Sequence, residues 1–212
     1  MSYYSEVKYQ AKDDLWFEKL YFNRWFKNNP GPILDIGCST GNFIATHPEI
    51  IEGMEIDQDA LKICRQRNLR VRALDADKDL SSLPADYYNG VYAKQIIEHL
   101  ESPADFLRQV ERILKPGGKA VILTPNCPYA LKKFFWDDPT HRHPLTKQDL
   151  KNLAISAGFA KMKISEDFRC FPGLGRLMRL LRLSSKLVRR LQDFVGWRGL
   201  SLILEAEKQL KL

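Results

Sequence analysis

One short segment, residues 33–43, constrains the fold of this chain more than any other. It reads Ile-Leu-Asp-Ile-Gly-Cys-Ser-Thr-Gly-Asn-Phe, an apolar run that ends in an acid and continues into two glycines. This pattern predicts a buried strand followed by a tight turn, whose backbone a ligand can approach closely. We expect a helix near 41–46 to aim its first N–H groups at that ligand, with the Asp35 carboxylate beside the turn.

The glycine spacing also argues against one large class of nucleotide-binding enzymes. A dinucleotide fold carries G-x-G-x-x-G, in which the third glycine lets helix and strand pack together. Here the spacing from Gly37 to Gly41 is G-x-x-x-G after an acid. A pyrophosphate site, and with it a nicotinamide-dependent dehydrogenase, is therefore the weaker interpretation.

The length and the cysteine content of the chain limit the classes of protein to which it can belong. A chain of 212 residues with 44% hydrophobic and 28% charged residues predicts one soluble globular domain, 1–212. Its four cysteines lie far apart and form no C-x-x-C pair, which favours a reducing compartment without a disulfide framework or zinc site. We expect a cytoplasmic protein, because the N-terminus has neither a basic start nor an apolar signal core.

Strands and helices alternate along the chain, which predicts an α/β fold with a parallel sheet covered on both faces. A helical cap occupies 1–30 and ends at an Asn-Asn-Pro-Gly turn signal. We predict strands at 32–36, 50–56, 70–74, 88–93, 118–124, 159–168 and 200–207, and helices near 41–46, 58–67, 103–114, 146–158 and 173–195.

The net charge of +7 resides in one segment. Six cations and no acid fall between Phe171 and Gln192, so the rest of the chain is nearly neutral. The cations recur at helical spacing, which predicts a basic amphipathic helical insertion at 171–197 that covers the sheet or the pocket. Attachment to anionic lipid headgroups is the alternative, since a basic face opposite an apolar face is typical of it. Nucleic acid is the least favoured partner.

Acids follow three successive predicted strands, where a parallel sheet binds ligands. Asp35 ends the first strand, Glu55 the second and Asp75 the third, while Lys94 ends the fourth. One carboxylate can hold two vicinal hydroxyls and another can accept from an exocyclic amine. The sequence therefore predicts a nucleoside site.

These segments together resemble the class I S-adenosylmethionine-dependent methyltransferases, including the ubiquinone-biosynthesis type. The resemblance runs through 33–41, 53–57, 74–76, 88–92, 98–100, 114–118 and 124–126. It implies a Rossmann-like three-layer sandwich with a seven-stranded, mostly parallel sheet, whose last strand, 200–207, inserts antiparallel. It also implies S-adenosyl-L-methionine as the cofactor.

The resemblance assigns roles residue by residue. Gly37, Cys38 and Gly41 would approach the methionine portion of the cofactor, Glu55 would bind the ribose, Ile56 would pack on adenine, and Asp75 with the Ala76 amide would read the adenine edge. Ser39 in the turn and Lys94 complete the predicted set. Family members often carry glycine where this chain has Ser39 and Phe-Asp where it has Tyr88-Asn89, departures that we expect cofactor binding to survive.

Methyl transfer to a hydroxyl benefits from a base, and the histidines supply the candidates. They are His99, which follows Glu98, and His141 and His143 in the loop before the predicted 146–158 helix; we favour His141 as nearest the substrate. Both positions also have a purely structural interpretation. Gln95 stands where some ubiquinone-type enzymes that use magnesium have an acid, so we expect no metal.

The acceptor class follows from what the fourth strand lacks. It does not end in the Asn/Asp-Pro-Pro-Tyr motif of enzymes that methylate nucleic-acid amines. We therefore expect methyl transfer to an oxygen of a small-molecule or lipid-like acceptor. The alternative is a non-catalytic cofactor-binding module that docks a membrane or protein partner through its basic helix. The oligomeric state is not encoded in any recognisable motif.

Overall fold

The computed structural model describes residues 15–127, 135–167, 187 and 199–210. Half of the predicted N-terminal cap, residues 1–14, lies outside these ranges. So does the basic insertion predicted at 171–197, apart from Leu187. Among the helices of the described residues, none combines the length and the apolar character needed to cross a bilayer.

A seven-stranded sheet forms the centre of the protein, in the order β3-β2-β1-β4-β5-β7-β6. All strands run parallel except β7, which lies antiparallel between β5 and β6. The predicted fold, with its antiparallel last strand, is therefore confirmed. The strands are β1 (Ile33–Ile36), β2 (Ile51–Glu55), β3 (Val71–Ala73), β4 (Tyr88–Lys94), β5 (Leu114–Pro125), β6 (Lys161–Glu166) and β7 (Ser201–Glu207).

Within the described ranges, four α-helices flank the sheet, and polar caps fix where three of them begin. The helices are α1 (Trp16–Trp25), α2 (Gln58–Gln66), α3 (Pro103–Ile113) and α4 (Lys147–Ser156). Asp57 caps α2, Ser102 caps α3 ahead of its first-turn proline, and Thr146 caps α4. Each cap accepts hydrogen bonds from backbone N–H groups that the helix itself leaves unpaired.

The helix predicted near 41–46 does not form. The connection between β1 and β2 contains a single 3₁₀ turn, Ile44–Thr46. The turn ends at the residue predicted for the helix, because Pro48 disfavours helical backbone in the residue before it. His47 accordingly has φ −150° and ψ 69°, outside the helical region.

The strands bury both faces, which gives the predicted three layers. Leu34 and Ile36 belong to the apolar cluster formed with α3 and α4. Ile33 and Tyr92 belong to the opposite cluster, formed with α1 and the 3₁₀ turn. The alternation of neighbouring residues between two clusters is the period of a strand that is covered on both sides.

Replacing Thr146 with alanine tests the local stabilisation of α4. Thr146 Oγ1 accepts the Asp149 N–H at 3.2 Å, and an Asp149 carboxylate oxygen accepts the Thr146 N–H at 2.8 Å. Loss of this cap is expected to lower the free energy of unfolding by about 1 kcal/mol. Urea denaturation measures it, with Lys151→Ala on the exposed side of the same helix as the control. Equal stability of the two variants would contradict the cap's contribution.

Candidate active site

A cleft of about 1070 Å³ opens where β1, β2, β3 and β4 end. Asp35, Glu55 and Asp75, the acids predicted from three strand ends, all line it. So do the other predicted cofactor-binding residues with one exception, Gly41. The parallel topology thus brings distant sequence segments to one edge of the sheet, as ligand sites in open α/β sheets require.

The turn after β1 depends on two residues in the left-handed region. Gly37 has φ +68°, and a Cβ there would lie 2.5 Å from Cδ1 of Ile96. Ser39 has φ +50°, a backbone conformation that residues other than glycine rarely adopt. This backbone explains in physical terms why glycine suits position 39.

Gly41 serves packing. It also has positive φ, but a Cβ at this position would lie 2.4 Å from Leu69 and 3.1 Å from the Cys64 sulfur. The absent side chain therefore makes room for α2 and the residues after it. The structure does not place Gly41 at the cleft, where the sequence predicted it.

Glu55 is held in place by three backbone N–H groups. Its Oε2 accepts from Ser39 at 2.8 Å, and its Oε1 accepts from Ile56 at 2.8 Å and from Asp57 at 3.0 Å. A carboxylate has about four acceptor positions, so capacity remains for a hydroxyl donor. The side chain is fixed before any ligand arrives, and it joins the β1 turn to the end of β2.

Asp75 has an equally defined setting beyond β3. Partial burial would raise its pKa, but the Asp77 N–H at 2.9 Å and the Lys78 ammonium at 3.0 Å hold the pKa below its usual range. The carboxylate is therefore ionised and able to accept from an amine. Between Glu55 and Asp75 the cleft presents Ile56, an apolar side chain that is 61% exposed.

Asp35 is the deepest acid of the cleft, at 3% exposure. Burial raises its pKa well above the ordinary value, although the Lys94 cation acts in the opposite direction. Lys94 also lines the cleft, and its ammonium lies 5.5 Å from the ring centroid of Tyr21 on α1.

The whole cleft is acidic. Eight of its lining residues carry a carboxylate and three carry a lysine or arginine cation. A cleft lined by one sign of charge concentrates ligands of the other sign. The site therefore favours a ligand with positive charge.

The thiol of Cys38 lies in this cleft but is not activated. Its hydrogen bond with Cys64 and its burial both raise its pKa, so the thiol stays protonated. Reactive cysteines require the opposite shift. Cys38 contributes a small, buried side chain to the turn.

Of the three candidate histidines, only His99 lines the cleft. His141 packs its ring on Phe135, with centroids 4.4 Å apart, and its Nδ1 contacts the Phe135 carbonyl oxygen at 2.5 Å. His143 donates its backbone N–H to the Glu98 carbonyl oxygen at 3.1 Å. The loop folds back on the chain after β4, so the geometry favours His99 over the predicted His141.

Three side chains near His99 could each offer an atom to a cation. Potential ligand atoms of Glu98, His99 and His141 lie within 4.8 Å of one another. Because zinc–nitrogen bonds are about 2.0–2.1 Å long, the ligand atoms of one zinc ion would need to lie less than 4.8 Å apart. The expectation that no metal is required stays a prediction.

Glu18 and Arg142 line the cleft although sequence reasoning did not select them. Glu18 comes from α1, and Arg142 lies beside two of the histidines and 3.5 Å from Glu101. Neither belongs to a motif with recognisable spacing. Only the packing of α1 and the return of the 135–145 loop bring them to the site.

Asp35 makes a testable contribution to the pH dependence of stability. The pKa of Asp35 in the folded protein exceeds its unfolded value of about 3.9. Its contribution to stability is therefore fully present below that pH and is lost as the pH rises through the folded pKa. Asp35→Asn removes the titration, so its stability relative to the original protein is expected to increase with pH above about 4.

Urea unfolding at several pH values measures this difference. Asp59→Asn, at an exposed position of α2, controls for the general loss of a carboxylate. A difference for Asp35→Asn that stays constant or decreases with pH would contradict the assignment.

Known methyltransferases resemble part of this chain in sequence. A protein of Mycobacterium tuberculosis, described as a probable S-adenosylmethionine-dependent methyltransferase, is 30% identical over 131 residues, which is 60% of this chain and 48% of the relative. The ubiquinone biosynthesis O-methyltransferase of Aeromonas salmonicida is 29% identical over 103 residues, 44% of this chain and 43% of the relative. The chain spans about half the length of these relatives.

A solved structure agrees over nearly the full chain. The S-adenosylmethionine-dependent methyltransferase from Archaeoglobus fulgidus superposes with a TM-score of 0.71 at 26% identity, and the match covers 92% of this chain and 95% of that protein. The sequence profile of the methyltransferase domain matches residues 9–164. The chain belongs to the methyltransferase domain family.

Proposed function

We propose that this protein transfers a methyl group from S-adenosyl-L-methionine to an oxygen of a small-molecule or lipid-like acceptor. The observation that carries the proposal is the convergence of Asp35, Glu55 and Asp75 with His99 on a single acidic cleft. S-adenosyl-L-methionine suits such a cleft, because its sulfonium and ammonium groups are both cationic. Family membership supports the same cofactor.

The cofactor would have a complementary position for each of its parts. Glu55, already oriented by three N–H groups, would accept from the ribose hydroxyls. Ile56 would lie against the adenine ring, and Asp75 with the Ala76 amide would contact its edge. The turn at Gly37 and Ser39 would leave the methionine portion beside Asp35 and the Lys94 cation.

Methyl transfer depends mainly on the alignment of the acceptor with the methyl group, and no covalent enzyme intermediate is required. When bound, the cofactor would supply an electrophilic methyl carbon. The cleft would hold the acceptor hydroxyl in line with it, so that the new C–O bond would form as the C–S bond breaks and leaves its electron pair on sulfur. Such positioning contributes on the order of 7–11 kcal/mol. His99, at the same cleft, would receive the hydroxyl proton.

The acceptor assignment is supported by two observations. The sequence lacks the Asn/Asp-Pro-Pro-Tyr motif at the end of β4, and several relatives bear the name of a ubiquinone biosynthesis O-methyltransferase. A hydroxyl on a small or lipid-like molecule is consistent with both. The proposal requires no metal ion.

Replacement of Glu55 with alanine tests the cofactor position. Hydrogen bonds to a charged group contribute about 1.5–3 kcal/mol, so the Kd for S-adenosyl-L-methionine is expected to rise about 10- to 100-fold. Isothermal titration calorimetry measures this directly. Glu49→Ala, which removes an exposed glutamate outside the cleft, is the matched control. Unchanged affinity in Glu55→Ala would contradict the ribose assignment.

Replacement of His99 with alanine tests the proton acceptor. We expect kcat to fall about 10²- to 10⁴-fold, the contribution of a general base, while the Kd for S-adenosyl-L-methionine stays the same. Transfer of tritiated methyl groups to catechol and to a long-chain alkylphenol, in buffer with EDTA, provides the assay. His143→Ala is the control, because His143 does not line the cleft. Equal losses in both variants would exclude His99 as the base.

A further inference from the structure

We propose that Asp138 and Thr140 are positioning residues, which hold His99 in the tautomer that carries its proton on Nδ1. The inference rests on the proposed function, in which His99 receives the proton of the acceptor hydroxyl. It concerns which ring nitrogen performs that step and what determines the choice.

The direction of the hydrogen bonds carries the argument. Thr140 Oγ1 donates to Oδ1 of Asp138 at 2.5 Å and lies 2.9 Å from Nδ1 of His99. A hydroxyl has one proton, and an ionised carboxylate can only accept. Since the Thr140 proton points to Asp138, its oxygen must accept from His99. The Nδ1 atom of His99 is therefore the protonated one.

The opposite nitrogen then has the properties of a base. In a neutral imidazole only one nitrogen carries a proton, so Nε2 of His99 carries the lone pair. Nε2 lies 4.0 Å from Oε1 of Glu98, a residue with no exposed surface. When Nε2 accepts a proton, the nearby carboxylate stabilises the imidazolium that forms.

The orienting groups are themselves fixed. Oδ1 of Asp138 also accepts the backbone N–H of Thr140 at 3.0 Å, and only 9% of the surface of Asp138 is exposed. Two donors from one residue hold this oxygen in place, so the Thr140 hydroxyl cannot easily turn. The loop that carries both residues is tied to the chain after β4, because the backbone N–H of Arg142 donates to the Glu98 carbonyl oxygen at 2.9 Å.

The arrangement has the logic of a triad, with a threonine hydroxyl between carboxylate and imidazole. A correctly oriented imidazole matters because the wrong tautomer presents a proton where a lone pair is needed. Asp138 and Thr140 do not lie among the residues that line the cleft. They act through His99 alone.

Two threonine variants separate the hydroxyl from the shape of the side chain. Thr140→Val keeps the volume and the β-branch but removes the hydroxyl, whereas Thr140→Ser keeps the hydroxyl. NMR spectroscopy of protein labelled with ¹⁵N in the histidine rings, at a pH where the imidazoles are neutral, reports the tautomer of His99. His99→Gln identifies its signals.

The expected result is a single Nδ1–H tautomer in the original protein and in Thr140→Ser. Thr140→Val is expected to shift His99 toward the Nε2–H form that predominates in free histidine. In the methyl-transfer assay, Thr140→Val should lower kcat about 10-fold or more, within the range that a general base contributes, with unchanged Kd for S-adenosyl-L-methionine. Thr140→Ser should restore kcat.

The carboxylate is tested in the same way. Asp138→Asn is expected to increase the Nε2–H population, because an amide can donate to the threonine oxygen and reverse the direction of the chain. Asp137→Asn, at the exposed neighbouring position, removes the same charge and should leave the tautomer unchanged.

The NMR measurement uses neither acceptor nor cofactor, so it distinguishes this inference from the proposed function. An Nε2–H tautomer in the original protein, or an unchanged tautomer in Thr140→Val, would overturn the inference. The predicted tautomers together with no methyl transfer to any hydroxyl would instead leave the positioning intact and count against the proposed function.

Discussion

A single carboxylate, that of Glu55, joins the ends of two neighbouring strands, and the site depends on it. Its two oxygens accept N–H groups from Ser39, in the turn after β1, and from Ile56 and Asp57, after β2. Ser39 holds a left-handed backbone there, which costs energy for a residue with a side chain. The hydrogen bond to Glu55 offsets that cost, so the turn and the acid form one rigid unit.

The parts of the structure that the sequence predicted are those set by local chemistry. Most strand boundaries followed from apolar runs. The helices predicted at 103–114 and 146–158 begin within one residue of α3 and α4, where the side chains of Ser102 and Thr146 satisfy the first N–H groups. The meeting of Asp35, Glu55 and Asp75 was predictable for a second reason. In a parallel sheet, successive strands end at the same edge, so sequence position alone determines the neighbourhood.

The parts that it did not predict depend on contacts between distant segments. The sequence placed Gly41 in the ligand turn, yet the side chains of Leu69 and Cys64 are what leave no room for a side chain there. Strand β5 begins at Leu114, directly after α3, although the sequence predicted a start at 118. Pairing with β4 holds this irregular start, since Tyr88 faces Leu114 and Gly90 already faces Lys119. No local pattern encodes such pairing.

The histidines also show that contacts between distant segments decide what a local pattern cannot. Sequence distance made His141 and His99 independent candidates, but the fold places their rings 4.6 Å apart and exposes only His99 to the cleft. Glu98 contacts both the loop and the His99 ring. Its carbonyl oxygen receives two N–H groups of the returning loop, which brings Thr140 to His99, and its buried carboxylate lies beside Nε2 of the same ring. One residue thus contributes twice, since its backbone positions the loop that orients His99 and its side chain forms part of the surroundings of the same ring.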